Sequence, residues 1–180
     1  MARTIDVVSL YPKDMNIYGD SGNVLTIRRR LELYGYEPVV HQYNQGDDWP
    51  DQVDLILGGG GQDTGQKKII DDFYHRADLL RSLAADGTPM LMICGLYQLF
   101  GEHFDTVDGT RRVHDVIGTY MHGSLLPKNP AISDFLIETA VTRRYGTFDT
   151  SDQTPEQAKE LARLDQVATN ARKAAAERPR

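Results

Sequence analysis

At 180 residues the chain is long enough to bury a sizeable core in one domain. Its 20 basic and 26 acidic residues leave a formal charge of −6, which argues against a nucleic-acid or anionic-membrane surface as its main business. One cysteine excludes an internal disulfide, the N-terminal MARTIDVVSLYPKD lacks the apolar core of a signal peptide, and no apolar run is long enough to span a membrane, so the expected setting is the reducing cytoplasm.

Strand and helix alternate through the first half. TIDVVSL (4–10) is short and β-branched and predicts a strand. YPKDMNIYGDSGN (11–23) is a polar loop with turn residues. Val24, Ile27, Leu31 and Leu33 recur near helical spacing, which predicts a helix capped by Ser21 or Asp20 and ended by Gly35. EPVVHQY (37–43) predicts a second strand, and VDLILGG (53–59) a third that is apolar enough to be buried on both faces. Residues 64–87 form a long amphipathic pattern closed by Gly87, and PMLMI (89–93) predicts a fourth strand. Strands separated by helices imply a mainly parallel α/β sheet flanked by helices.

Beyond Cys94 the pattern changes. GLYQLF predicts one or two helical turns, 101–112 a polar loop, and DVIGTYMHG (115–123) a strand ending at His122. SLLPKNP reads as a loop, and 131–146 as a helix ended by Gly146. Residues 154–178 form a strong last helix with Thr154, Pro155 and Gln157 at its start. Leu161, Leu164, Val167 and Ala171 mark a face of that helix for packing on the body, the expected place, or on a partner. The expected organisation is a domain over 1–146, followed by a linker and C-terminal helix over 147–180.

The chemistry gathers where a parallel sheet places its functional groups, beyond the carboxyl ends of its strands. Cys94 directly follows MLMI, and Gly95 permits a sharp turn into a helix. A thiol on such an elbow lies near helix-start N–H groups, which favour a thiolate and can donate to an oxyanion. A buried structural cysteine is the alternative. LILGGGGQD ends the third strand with four glycines, so backbone N–H groups of Gly60 or Gly61, with that of Leu96, can form an oxyanion hole. A tight structural loop is the alternative there. No Gly-Lys-Ser/Thr follows, so this is not a phosphate-binding P-loop. Of the histidines His41, His75, His103, His114 and His122, the last closes an apolar stretch and is best placed to deprotonate Cys94, although a lone histidine there is often structural.

In combination, CGLYQLFG, GGGQD and GTYMHGSLLPKNP resemble the nucleophile elbow, oxyanion loop and histidine motif of class I glutamine amidotransferases. The branch they resemble is the one shared with cobyric acid synthase glutaminase domains. YPKDMNIYGDSGN and HGSLLPKNP are most similar to the glutaminase subunits that serve a Mur-ligase-like synthetase in amidating D-glutamate of lipid II. The resemblance covers roughly residues 4 to 145. It implies a flavodoxin-like three-layer fold, with Cys94 as nucleophile, His122 as general base, and Gly60, Gly61 and Leu96 at the oxyanion. It also implies Gln98 as a substrate-binding residue. The substrate would be glutamine, with no cofactor or metal in this chain and ATP on the partner. Many members carry a glutamate two residues after the histidine; here that position is Ser124, and Asp20 is the candidate orienting acid. Cys94 and His122 stand only 28 positions apart, whereas the family usually has several more strands between the two motifs. The expectation is a domain shortened there, by a real internal deletion or by a segment the sequence omits, with the residues that would hold the substrate's α-amino and α-carboxylate groups unassigned. Two alternatives follow: a partner-binding module that kept the fold and lost the site, and the glutaminase of a corrin-amidating enzyme.

Overall fold

The computed structural model describes residues 3–104 and 111–178, with the side chains of 102–104 and 111–113 left undescribed. The first four strands fall where the sequence places them. They are β1 (Thr4–Leu10), β2 (Glu37–Tyr43), β3 (Leu55–Gly58) and β4 (Met90–Ile93). Between them run α1 (Ser21–Leu33) and α2 (Asp63–Ala85). After β4 come α3 (Gly95–Phe104), β5 (Arg111–Val113) and β6 (Val116–Thr119). The chain then closes with α4 (Leu125–Lys128), α5 (Pro130–Tyr145) and α6 (Pro155–Ala176).

The strand order is β2-β1-β3-β4-β6-β5, parallel throughout except for the antiparallel edge strand β5. This is the flavodoxin-like doubly wound order with a hairpin at one edge. Two apolar layers follow from the period of two along each strand. On β1, Ile5 and Val7 face α1 and α5 with Ile27, Leu31, Leu136 and Ile137. Val8 and Leu10 face the other way, toward Ile69 and Phe73 of α2. β4 divides likewise, Leu91 and Ile93 to one layer and Met90 and Met92 to the other.

The second half departs from the sequence reading in four places. Helix α3 runs to Phe104, into the stretch expected to be a polar loop, so the backbone of His103 is helical; residues 105–110 of that stretch lie outside the described residues. A short strand, β5, stands at 111–113, too polar in sequence to announce itself. β6 ends at Thr119, three residues before His122, because the Thr119 Oγ1 accepts the Met121 N–H at 3.1 Å and turns the chain. Part of the expected loop SLLPKNP is the single turn α4.

α6 begins with a full capping box, Thr154 Oγ1 accepting from the Gln157 N–H and the Gln157 side chain from Thr154 N–H. It docks largely through polar groups. The Arg30 guanidinium, 4% exposed, reaches Asp165 of α6 at 2.7 Å and Asp134 of α5 at 2.6 Å. Leu161, Leu164 and Ala168 form the inward seam of α6, whereas Val167 and Ala171 face solvent, contrary to the face read from the sequence. Among the described residues no helix is long and apolar enough to cross a membrane.

Candidate active site

Cys94 stands between β4 and α3 with φ +48, the left-handed region that a residue with a Cβ enters at a cost of about 1–2 kcal/mol. The strain is held by its neighbours. The Cys94 N–H donates to the Thr119 carbonyl at 2.8 Å, and the Cys94 carbonyl accepts from the Gln98 N–H at 2.8 Å. Gly95 allows a tight fit here: a Cβ would lie 2.7 Å from Met15 Cε, 2.9 Å from Gln66 Nε2 and 3.1 Å from the Gly61 carbonyl oxygen. The half-buried thiol accepts from the Gly95 N–H, which lowers its pKa. Burial outweighs that bond, and the Asp20 charge acts in the same direction as burial, so the thiol is pushed up. The resting site therefore favours the thiol, where helix-start N–H groups alone would favour the thiolate.

The short interval to His122 is bridged by strand pairing. β6 lies directly beside β4, with Ile93 opposite Thr119. Both strands end level, and three further residues carry the chain to His122. A Cβ built on Gly60 would stand 3.1 Å from Cys94 Cβ, 3.3 Å from His122 Cε1 and 3.4 Å from His122 Nδ1. Cys94 and His122 thus both lie close around Gly60, where a Cβ would crowd the two at once.

Asp20 reaches the same point from the other side. Its residue is 6% exposed, and Oδ2 accepts the Gly60 N–H at 2.7 Å while Oδ1 has no hydrogen-bond partner. Burial raises this carboxyl; the Gly60 N–H and the nearby His122 pull it back down. Asp20 occupies the N-cap position of α1, yet its side chain makes no cap bond there. Asn16 does part of that work, its Oδ1 accepting the Ser21 N–H at 2.7 Å.

The expected oxyanion donors are divided by this geometry. The Gly60 N–H is already engaged by Asp20, and its carbonyl accepts the Ile17 N–H at 3.2 Å, so Gly60 acts as spacer and brace and not as a free donor. Leu96 is buried in the first turn of α3, where helix N–H groups have no intrahelical acceptor. Gly61 packs on Met15, and its carbonyl faces Gly95. Gln98 is exposed at the mouth, its Oε1 accepting from Gln66 Nε2 at 2.9 Å. Gln66, Tyr18 and Thr119 were not singled out from the sequence. Gln66 lies one turn into the helix after the glycine loop, a position that could have flagged it; Tyr18 and Thr119 carry no local signal. Of the other described histidines, His75 bonds a backbone carbonyl on α2, His41 pairs with Asp6 at 2.7 Å, and His114 sits in the β5–β6 turn, where φ is +53.

Fold and site together define a flavodoxin-like α/β protein with a cysteine, a histidine and a glycine loop meeting at the carboxyl edge of the sheet. The chain belongs to the CobB/CobQ-like glutamine amidotransferase domain family, whose model matches residues 6–114 and so includes Cys94 and the glycine loop. It is similar to the GatD subunit of lipid II isoglutaminyl synthase (glutamine-hydrolyzing) of Staphylococcus aureus. That likeness is 25% identity over 203 aligned positions, covering 75% of this chain and 84% of that one. The same subunit of Streptococcus pneumoniae is 32% identical over 108 positions, 59% of this chain and 42% of that one. The 203-position alignment is longer than the 180-residue chain, so the Staphylococcus protein carries residues with no counterpart here. Among solved structures, DJ-1beta of Drosophila melanogaster superposes with a TM-score of 0.46 at 14% identity, over 91% of this chain and 97% of that one.

Proposed function

We propose that this chain is a glutaminase subunit that supplies ammonia to a Mur-ligase-like, MurT-like partner. The observation that carries the reading is that Cys94 and His122 gather at Gly60, both within 3.4 Å of where its Cβ would stand. Because burial keeps the sulfur protonated, His122 takes the thiol proton as the sulfur attacks the side-chain amide carbon of glutamine. The oxyanion is met by N–H groups at the start of α3, Leu96 foremost, with Gly61 as the second donor. The C–N bond breaks, His122 returns the proton to the leaving nitrogen, and ammonia departs from a glutamyl thioester on Cys94. Water, deprotonated by His122, then attacks the thioester; glutamate leaves and the thiol is restored. Asp20 serves as the orienting acid through its charge, which acts on His122.

The two GatD relatives support the rest of the proposal. The partner uses ATP to activate the D-glutamate α-carboxyl of the lipid II stem peptide, and the ammonia amidates it. The setting is the cytoplasm, where a lone thiol stays reduced. The test is glutamate release from glutamine with the synthetase present. Cys94→Ser abolishes release with the fold retained, and His75→Ala, on an exposed part of α2, leaves it unchanged. A Cys94→Ser protein with wild-type turnover overturns the reading.

A second reading has its own support: the Gly60 N–H is engaged by Asp20, and a relative carries residues this chain lacks. Under it the chain is a partner-binding module without activity. Co-purification with the synthetase but no glutamate release, from the wild-type chain as from Cys94→Ser, would select it.

A further inference from the structure

We propose that Tyr18 is a positioning residue for His122, and that the loop between β1 and α1 holds the histidine in its working place; this rests on the reading of Cys94 and His122 as a glutaminase pair. His122 is exposed and lies three residues past the end of β6, so strand pairing does not fix its ring. The Tyr18 ring does: its centroid is 4.1 Å from that of the imidazole, tilted by 52°. Tyr18 is itself 46% exposed, so a core-packing role does not account for it.

The neighbours of Tyr18 act on the same two loops. The Ile17 N–H donates to the Gly60 carbonyl at 3.2 Å. The Gly19 carbonyl accepts the Ser124 hydroxyl at 2.7 Å, and Ser124, with φ +45, stands two residues past His122. The Asp20 carboxylate takes the Gly60 N–H at 2.7 Å. Four consecutive residues therefore tie the glycine loop to the histidine motif, and Tyr18 is the one that brings an aromatic ring against the imidazole. When His122 accepts the thiol proton, the face of the Tyr18 ring also attracts the new positive charge.

A ring that orients a base without touching glutamine changes kcat and leaves KM nearly alone. The full chain with its synthetase is assayed for glutamate release as Tyr18→Leu and as Tyr18→Phe. Tyr18→Leu is expected to lower kcat roughly tenfold with KM within about twofold. Tyr18→Phe, which keeps the ring, is expected to restore kcat. In parallel, the His122 ring protons are followed by NMR in the same chains. Wild type and Tyr18→Phe should show the ring-current shift of an imidazole close against an aromatic ring, and Tyr18→Leu should lose it. Wild-type kcat in Tyr18→Leu, or an unchanged His122 signal in that variant, overturns the proposal. A wild-type chain that releases no glutamate overturns the glutaminase reading instead, and the NMR comparison still decides whether Tyr18 holds the ring.

Discussion

The two halves of the candidate site are built by different means. Cys94 is placed by what immediately surrounds it: an apolar strand before it, a helix after it, and backbone bonds to Thr119 and Gln98. His122 stands outside regular structure, exposed, and is braced by residues more than a hundred positions earlier in the chain. The nucleophile is thus a property of the core, and the base a property of a loop contact. Substitutions near Cys94 should act on fold and chemistry together, whereas those near His122 should act on chemistry with little effect on stability.

The largest separation of the two is expected from His122→Ala. Loss of a general base lowers glutamate release by roughly 10²–10⁴-fold, while the melting temperature stays within about 2 °C of wild type because the side chain is exposed. Next comes Gly60→Ala, whose new methyl would press on both Cys94 and His122. The pair would have to give by a few tenths of an ångström; since a 1 Å misplacement can cost roughly 10² in rate, activity should fall by less than that, by roughly tenfold. A Gly60→Ala enzyme of normal activity would show that the pair does not work across this gap.

Away from the site, Arg30→Ala tests the body on which α1, α5 and α6 meet. It removes a buried guanidinium from Asp134 and Asp165. The loss should be about 2 kcal/mol in denaturant unfolding, less than for a wholly buried pair because both carboxylates keep access to water.

The smallest effect is a pH shift on Asp20→Asn. Asp20's charge helps hold the Cys94 thiol up, so the neutral variant should move the midpoint of Cys94 alkylation to lower pH. The sign for stability follows from Asp20's own raised carboxyl. Its folded form holds the proton more tightly than its unfolded form, so wild type loses stability as pH rises from the ordinary carboxylate range through the raised value. The variant lacks this loss. Its melting temperature relative to wild type should therefore be higher at neutral pH than in acid, as scanning calorimetry would read it.

The same division explains what the sequence could tell. TIDVVSL, VDLIL and MLMI carry their own periodicity and apolarity, so the parallel sheet and the Cys94 elbow were legible. The edge strand β5 is three residues of mixed polarity and gains its strand character only from pairing with β6. Tyr18 has no signature because its partner is distant in the chain, and Gly60 looked like a free donor because no local pattern announces the Asp20 carboxylate beside it. Asp20 read both as a helix cap and as the candidate orienting acid; its side chain makes no cap bond and turns instead to Gly60.

The central claim is that Cys94 carries a glutamyl group in turnover. The full chain and its synthetase are mixed with glutamine, quenched in acid within the first turnovers, and digested for mass spectrometry. A glutamyl adduct confined to the peptide containing Cys94, absent from Cys94→Ser and diminished in His122→Ala, is the result this account expects. Glutamate release undiminished in Cys94→Ser, with no adduct on any peptide, would contradict it.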